Sequence, residues 1–143
     1  MSDSRPILER TWELALSKTL IVDDSAAFRR TVKEILLSEF PTMSVAEAAD
    51  GKEAFERIHA GRPDFIFMDV RLPGENGFDL TRRIKARYPE ALVVMVTNYD
   101  MPEYREAARQ SGAQGFLSKG SSTAKEIVAM VGLILSGKGA GIH

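Results

Sequence analysis

Four places in this 143-residue chain carry side chains whose joint spacing could do chemistry. Asp23-Asp24, Asp69, Thr97-Asn98 and Lys119 each stand just past a short apolar run. Singly, each has an ordinary reading: aspartates cap helices or close strands, and lysines are mostly solvated. Their order is more telling. Three carboxylates brought to one edge repel one another and cannot all stay ionised without a cation, and hard oxygen ligands with room for water suit Mg²⁺. A lysine and a hydroxyl beside that cation would complete a pocket for a dianionic oxyanion, most simply a phosphoryl group. One of the carboxylates could itself be the nucleophile, since an aspartate can form an acyl phosphate.

The runs that must position these groups are Thr19-Leu20-Ile21-Val22, Phe65-Ile66-Phe67-Met68, Leu92-Val93-Val94-Met95-Val96 and Gly115-Phe116-Leu117, with a weaker one at Met43-Ser44-Val45-Ala46. Between them lie segments of helical period. Such alternation predicts βα units around a parallel sheet, in which ligands bind outside the carboxyl ends of the strands. Three runs are apolar at nearly every position, as strands covered on both faces should be, and the run at 43–46 suits an edge. Phe28, Val32, Ile35 and Leu36 share a helical face that stops before Pro41. Asp50-Gly-Lys-Glu53 and Thr123-Ala-Lys-Glu126 look like capping boxes. Further helices fit 77–87, with Leu80 and Ile84 inward, and 102–111, with Tyr104, Ala107 and Ala108 inward and Gly112 as the stop. Five strands and five helices result.

Composition narrows the rest. The length suits one domain with one core. Without cysteine there is no disulfide, thiolate metal site or thiol nucleophile, and His59 and His143 alone remain for imidazole chemistry. Nineteen basic residues against twenty acidic ones give a net charge of −1, which argues against direct nucleic-acid binding. Arg29-Arg30 and Arg82-Arg83-Ile84-Lys85 read as solvated helix faces. No stretch approaches the ~18 apolar residues of a membrane span, and the start lacks a signal peptide's apolar core, so a cytoplasmic protein is expected.

Taken as a set, Leu-Ile-Val-Asp-Asp at 20–24, Met-Asp-Val-Arg-Leu-Pro-Gly-Glu-Asn-Gly at 68–77, Val-Thr-Asn at 96–98 and Gly-Ala-Gln-Gly-Phe-Leu-Ser-Lys at 112–119 resemble the receiver domain of a two-component response regulator. The likeness covers about residues 17–137 and implies an α/β flavodoxin-like (CheY-like) doubly wound sheet of order 2-1-3-4-5. It further implies that Asp69 is the phosphoacceptor, served by a sensor histidine kinase or phosphotransfer protein. Asp23, Asp24, Asp69 and the backbone carbonyl of Arg71 would hold Mg²⁺. Lys119 would balance charge on the phosphoryl oxygens and Thr97 would hydrogen-bond one of them, with Phe116 filling the space Thr97 vacates. No enzyme activity is implied beyond self-catalysed phosphorylation and autodephosphorylation. Two departures stand out. Phe116 lacks the hydroxyl of tyrosine members, and Gly120 stands where many receivers have a proline, which NarL/LuxR-like relatives also lack.

Residues 1–16 precede the likeness; Ile7, Leu8, Thr11, Trp12 and Ala15 share a helical face, so this extension is either an amphipathic helix or an unstructured leader. In the last helix the apolar stripe, widened by Leu133 and Ala129, suggests a homodimer or partner surface. The tail at 138–143 resembles the start of a linker leading to a helix-turn-helix output domain. A receiver of a transcription regulator and a stand-alone phosphorelay shuttle or binding switch both fit. A small phosphohydrolase is a weaker rival, because no glycine-rich phosphate loop follows the first strand and only one aspartate follows the third.

Overall fold

The structure is a computed structural model that describes residues 17–135. The N-terminal extension and the tail lie outside the described residues. Strand β1 (Lys18–Val22) leads to helix α1 (Ala26–Glu39), and the alternation continues through β2 (Ser44–Ala48), α2 (Gly51–Gly61), β3 (Phe65–Asp69), α3 (Gly77–Arg87), β4 (Leu92–Thr97), α4 (Pro102–Gln110), β5 (Gly115–Ser118) and α5 (Ala124–Leu135). The five strands form one parallel sheet in the order 2-1-3-4-5. This is the expected architecture and order.

Near-continuous burial of the central strands has a simple cause: successive side chains point to opposite faces, and both faces are covered. In β4, Val93 and Met95 join Leu20, Val22, Ile66 and Met68 against Ala54, Ile58, Leu80, Ile84 and Ala108 of α2, α3 and α4. Val94 and Val96 face the other way, joining Ile21, Phe65 and Phe67 against Val32 and Leu36 of α1 and Ile127, Val131 and Ile134 of α5. Two helix layers therefore clamp the sheet and leave its strand ends open.

Edge strand β2 is shifted from the expected 43–46. It runs to Ala48, through a glutamate that breaks the apolar pattern. Glu47 is tolerated because its carboxylate meets Arg29 at 3.0 Å and Lys33 at 3.8 Å, both from α1. Arg29 is consequently not a solvated residue as expected: its side chain is only 16% exposed, and it also donates to the Asp23 carbonyl. Lys85 departs from that expectation too, donating to the carbonyls of Pro89 and Ala91 after α3.

Helix starts follow the local chemistry. Asp50 accepts from the Glu53 N–H and Thr123 from the Glu126 N–H, as their spacing predicts. At α1, Ser25 is the cap, accepting from the Phe28 N–H at 3.2 Å. Neither Asp23 nor Asp24 caps that helix. Between β3 and α3 the chain makes a two-residue antiparallel pair, Arg71–Leu72 with Glu75–Asn76, turned by Gly74 at φ +69°. Asn76 then caps α3.

Candidate functional site

Sheet register decides which strand ends meet. Val22 pairs with Met68, so Asp23 and Asp69 leave adjacent strands at the same level. Asp69 pairs with Val96 and Thr97 with Ser118, which sets Thr97 one position and Lys119 two positions further out. Each of Asp23, Asp24 and Asp69 has a carboxylate oxygen within 4.8 Å of the others'. Asp23 is buried and Asp24 exposed, while Asp69 is nearly buried, its side chain 8% exposed.

Local backbone geometry holds these acids. Asp23 Oδ1 accepts from the Ser25 N–H at 2.8 Å, and Asp69 Oδ1 accepts from the Arg71 N–H at 3.3 Å. The other oxygens turn toward Lys119, whose Nζ lies 2.6 Å from Asp23 Oδ2 and 3.4 Å from Asp69 Oδ2. Phe28 of α1 lies beneath that ammonium, its ring centroid 4.6 Å away. The short approach to Asp23 Oδ2 is an ion pair without hydrogen-bond direction, so this buried oxygen has no hydrogen-bond donor. A buried carboxylate oxygen that meets the Lys119 ammonium, beside two further carboxylates, has the donor chemistry of a hard-cation site.

Electrostatics point the same way. Burial, then the Asp23 charge, pushes the Asp69 carboxyl from 3.8 up to about 6, and Lys119 and the Arg71 N–H offset only part of this. Asp69 is thus a desolvated carboxylate held among like charges.

Around it, Thr97 is buried and its hydroxyl accepts from the Tyr99 N–H at 3.1 Å; its carbonyl accepts from the Lys119 N–H at 2.8 Å. Phe116, 5% exposed, packs into the core on the α4 side. The Asp69 loop needs Gly77, whose N–H donates to the Val70 carbonyl; a Cβ there would lie 2.0 Å from the Asp69 carbonyl oxygen. The chain therefore brings Asp23, Asp24, Asp69, Thr97 and Lys119 to one sheet edge, with Arg71 and Phe116 flanking.

Residues 19–132 match the family described as the response regulator receiver domain. The chain belongs to that family. As a receiver it is a signalling module rather than a conventional enzyme, and its Asp23, Asp24 and Asp69 cluster is typical of a receiver's Mg²⁺ site. It is similar to the transcriptional regulatory protein DegU of Brevibacillus brevis, with 36% identity over 124 residues, 87% of this chain and 52% of that protein. The receiver thus spans about half the length of that relative. Among solved structures, a LuxR-family two-component response regulator from Aurantimonas sp. superposes with a TM-score of 0.80 at 31% identity, covering 89% of this chain and 90% of that one. The receiver domain of the putative response regulator NarL from Mycobacterium tuberculosis gives 0.76 at 33% identity, covering 85% and 97%. Among the described residues, no helix is long and apolar enough to cross a membrane.

Several contacts around the site escaped the sequence reading, although Arg71 and Tyr99 were placed beside it. Arg71 donates to the Tyr104 hydroxyl at 3.3 Å and lies over the Tyr99 ring at 4.8 Å. Arg105 forks onto Asp100 and lies over Phe116. These contacts join a loop to a helix, so no i,i+4 pattern announces them. Phe28 was legible only as a member of an apolar helix face.

Proposed function

We propose that Asp69 accepts a phosphoryl group from a phosphohistidine on a sensor kinase or phosphotransfer protein. Its carboxylate oxygen attacks phosphorus, the new O–P bond replaces the breaking P–N bond, and the imidazole leaves. The observation that carries this reading is the clustering of Asp23, Asp24 and Asp69, with the buried Asp23 and Asp69 both meeting the ammonium of Lys119. Burial and the Asp23 charge raise the Asp69 carboxyl to about 6, which still leaves it an ionised nucleophile at neutral pH.

Asp23, Asp24 and Asp69, with the backbone carbonyl of Arg71, are the residues that would hold Mg²⁺. When bound, the ion supplies positive charge against the clustered carboxylates and phosphoryl oxygens. Lys119 provides a compact cation for the same oxygens, already at the correct edge. Thr97 keeps its hydroxyl proton available for a phosphoryl oxygen, because that hydroxyl serves only as acceptor toward Tyr99. The loop holding Thr97 and the Phe116 ring are proposed as the moving pair.

In this reading residues 17–137 form the receiver, with 1–16 an extension and 138–143 a tail or linker start. The kinship with DegU and LuxR-family regulators favours control of transcription through a helix-turn-helix domain outside this sequence over a stand-alone relay role. A homodimer through the outer face of α5, where Leu133 is 39% exposed, belongs to the same proposal.

Turnover separates this function from that of a small phosphohydrolase. With Mg²⁺ and a small acyl phosphate, the protein should take up one phosphoryl group per chain and lose it slowly. Release of many equivalents of phosphate from a simple phosphate ester would favour the hydrolase instead.

A further inference from the structure

Phe116 carries no hydroxyl, so its ring cannot signal through a hydrogen bond. It is nevertheless engaged. The Arg105 guanidinium of α4 lies over the ring, 4.9 Å from its centroid. That guanidinium is in turn fixed by a two-point fork onto Asp100, Nε to Oδ1 at 2.6 Å and Nη2 to Oδ2 at 2.9 Å. A planar fork of this kind is the geometry in which an exposed ion pair holds an orientation, whereas a single-point pair is easily exchanged for water.

Asp100 is not part of α4. It stands in the loop three residues after Thr97, while Arg105 lies inside the helix that begins at Pro102. The Tyr99 N–H donates to the Thr97 hydroxyl, so Thr97 and the backbone leading to Asp100 are physically joined. An inward displacement of Thr97 that keeps the Tyr99 bond pulls on the backbone leading to Asp100, and so either carries the Arg105 fork with it or breaks it. In both cases the cation over Phe116 changes position.

We propose that Asp100 and Arg105 are positioning residues that transmit the state of the Thr97 loop to Phe116. They substitute an ion pair and a cation–π contact for the hydrogen bond a tyrosine would make. This rests on the reading of Asp69 as phosphoacceptor and Thr97 as the residue that moves. Tyr99 of that loop also meets Tyr104 of α4 edge-on, but it is the fork that ends on the cation over the Phe116 ring. Its loss should leave the chemistry at Asp69 intact and disconnect the ring.

The test places 4-fluorophenylalanine at position 116 (Phe116→4-fluorophenylalanine) and follows its ¹⁹F resonance before and after phosphorylation by a small acyl phosphate. Intact mass and hydrogen exchange at residues 97–101 are measured on the same samples. In the otherwise unchanged chain, phosphorylation should shift the resonance and alter exchange in the loop. Arg105→Gln and Asp100→Asn should each still gain the phosphoryl group and keep the loop response, but lose most of the ¹⁹F shift. Arg105→Lys, which keeps a cation at that position but cannot make the planar two-point fork, should retain only part of it. Variants that respond like the parent, or a phosphorylated parent with an unmoved resonance, would overturn this inference alone. A parent that gains no phosphoryl group would overturn the phosphoacceptor reading and the inference with it.

Discussion

Asp69 is held in a place that disfavours its own charge. The shift from 3.8 to about 6 corresponds to about 3 kcal/mol of destabilisation when the group is ionised in the metal-free fold. The sign follows from linkage. Because the folded pKa lies above the unfolded one, the native state takes up the proton first as pH falls, so stability from this group rises between about pH 6 and 4 and is lost again on the way up. Asp69→Asn in chelator should therefore be more stable than the parent by roughly 1–3 kcal/mol at pH 7.5. The gap should close below pH 4, as read by urea denaturation at the two pH values. A variant less stable at pH 7.5 would show that Asp69 is not strained by its neighbours. Such stored repulsion was foreseeable once Asp23-Asp24 and Asp69 were read as following strands of one parallel sheet, whose carboxyl ends share an edge, and the family likeness set those two strands side by side. What the residue types could not give is the burial of Asp23, the fork at Arg105 or the ring under Lys119, which depend on helices approaching from elsewhere in the chain.

The elements that carry these residues were legible wherever one local rule sufficed. Central strands betrayed themselves by unbroken apolar runs, and α2 and α5 by an oxygen-bearing cap with glutamate three residues on. Reading failed at β2, where Glu47 interrupts the pattern and Arg29 and Lys33 compensate it from α1, a correction that only tertiary contact supplies. It failed also at α1, where two aspartates obscured Ser25 as the cap. Backbone approach makes the Asp69 loop the least forgiving element. Gly77→Ala would drive a Cβ to 2.0 Å from the Asp69 carbonyl oxygen and should cost more than about 2 kcal/mol, with slower phosphorylation. Gly61→Ala, at the end of α2 with no atom within 4 Å, should instead be neutral or stabilise by about 0.5–1 kcal/mol. Thermal melts of both variants check the contrast; equal effects would mean that the close approach at Gly77 is not what fixes the loop.

Across the whole molecule, the doubly wound sheet gathers groups far apart in sequence, from position 23 to position 119, at one open edge, while helices on both faces exclude water from everything behind it. Strand order was implied by the family likeness rather than by periodicity, because alternating strands and helices allow several orders. The two faces of α5 divide as well: Ile127, Val131 and Ile134 close the core, whereas Leu133 is 39% exposed on the face proposed for pairing. If α5 pairs on phosphorylation, sedimentation should show a dimer that Leu133→Lys abolishes; a monomer throughout would remove that proposal without touching the site. The site itself is decided by mass. Parent and Asp69→Asn are each incubated with a small acyl phosphate, with and without Mg²⁺, and their intact masses compared. The parent should gain one phosphoryl group only when Mg²⁺ is present, and the variant none. An equal gain in Asp69→Asn would contradict the assignment of Asp69 as the phosphoacceptor.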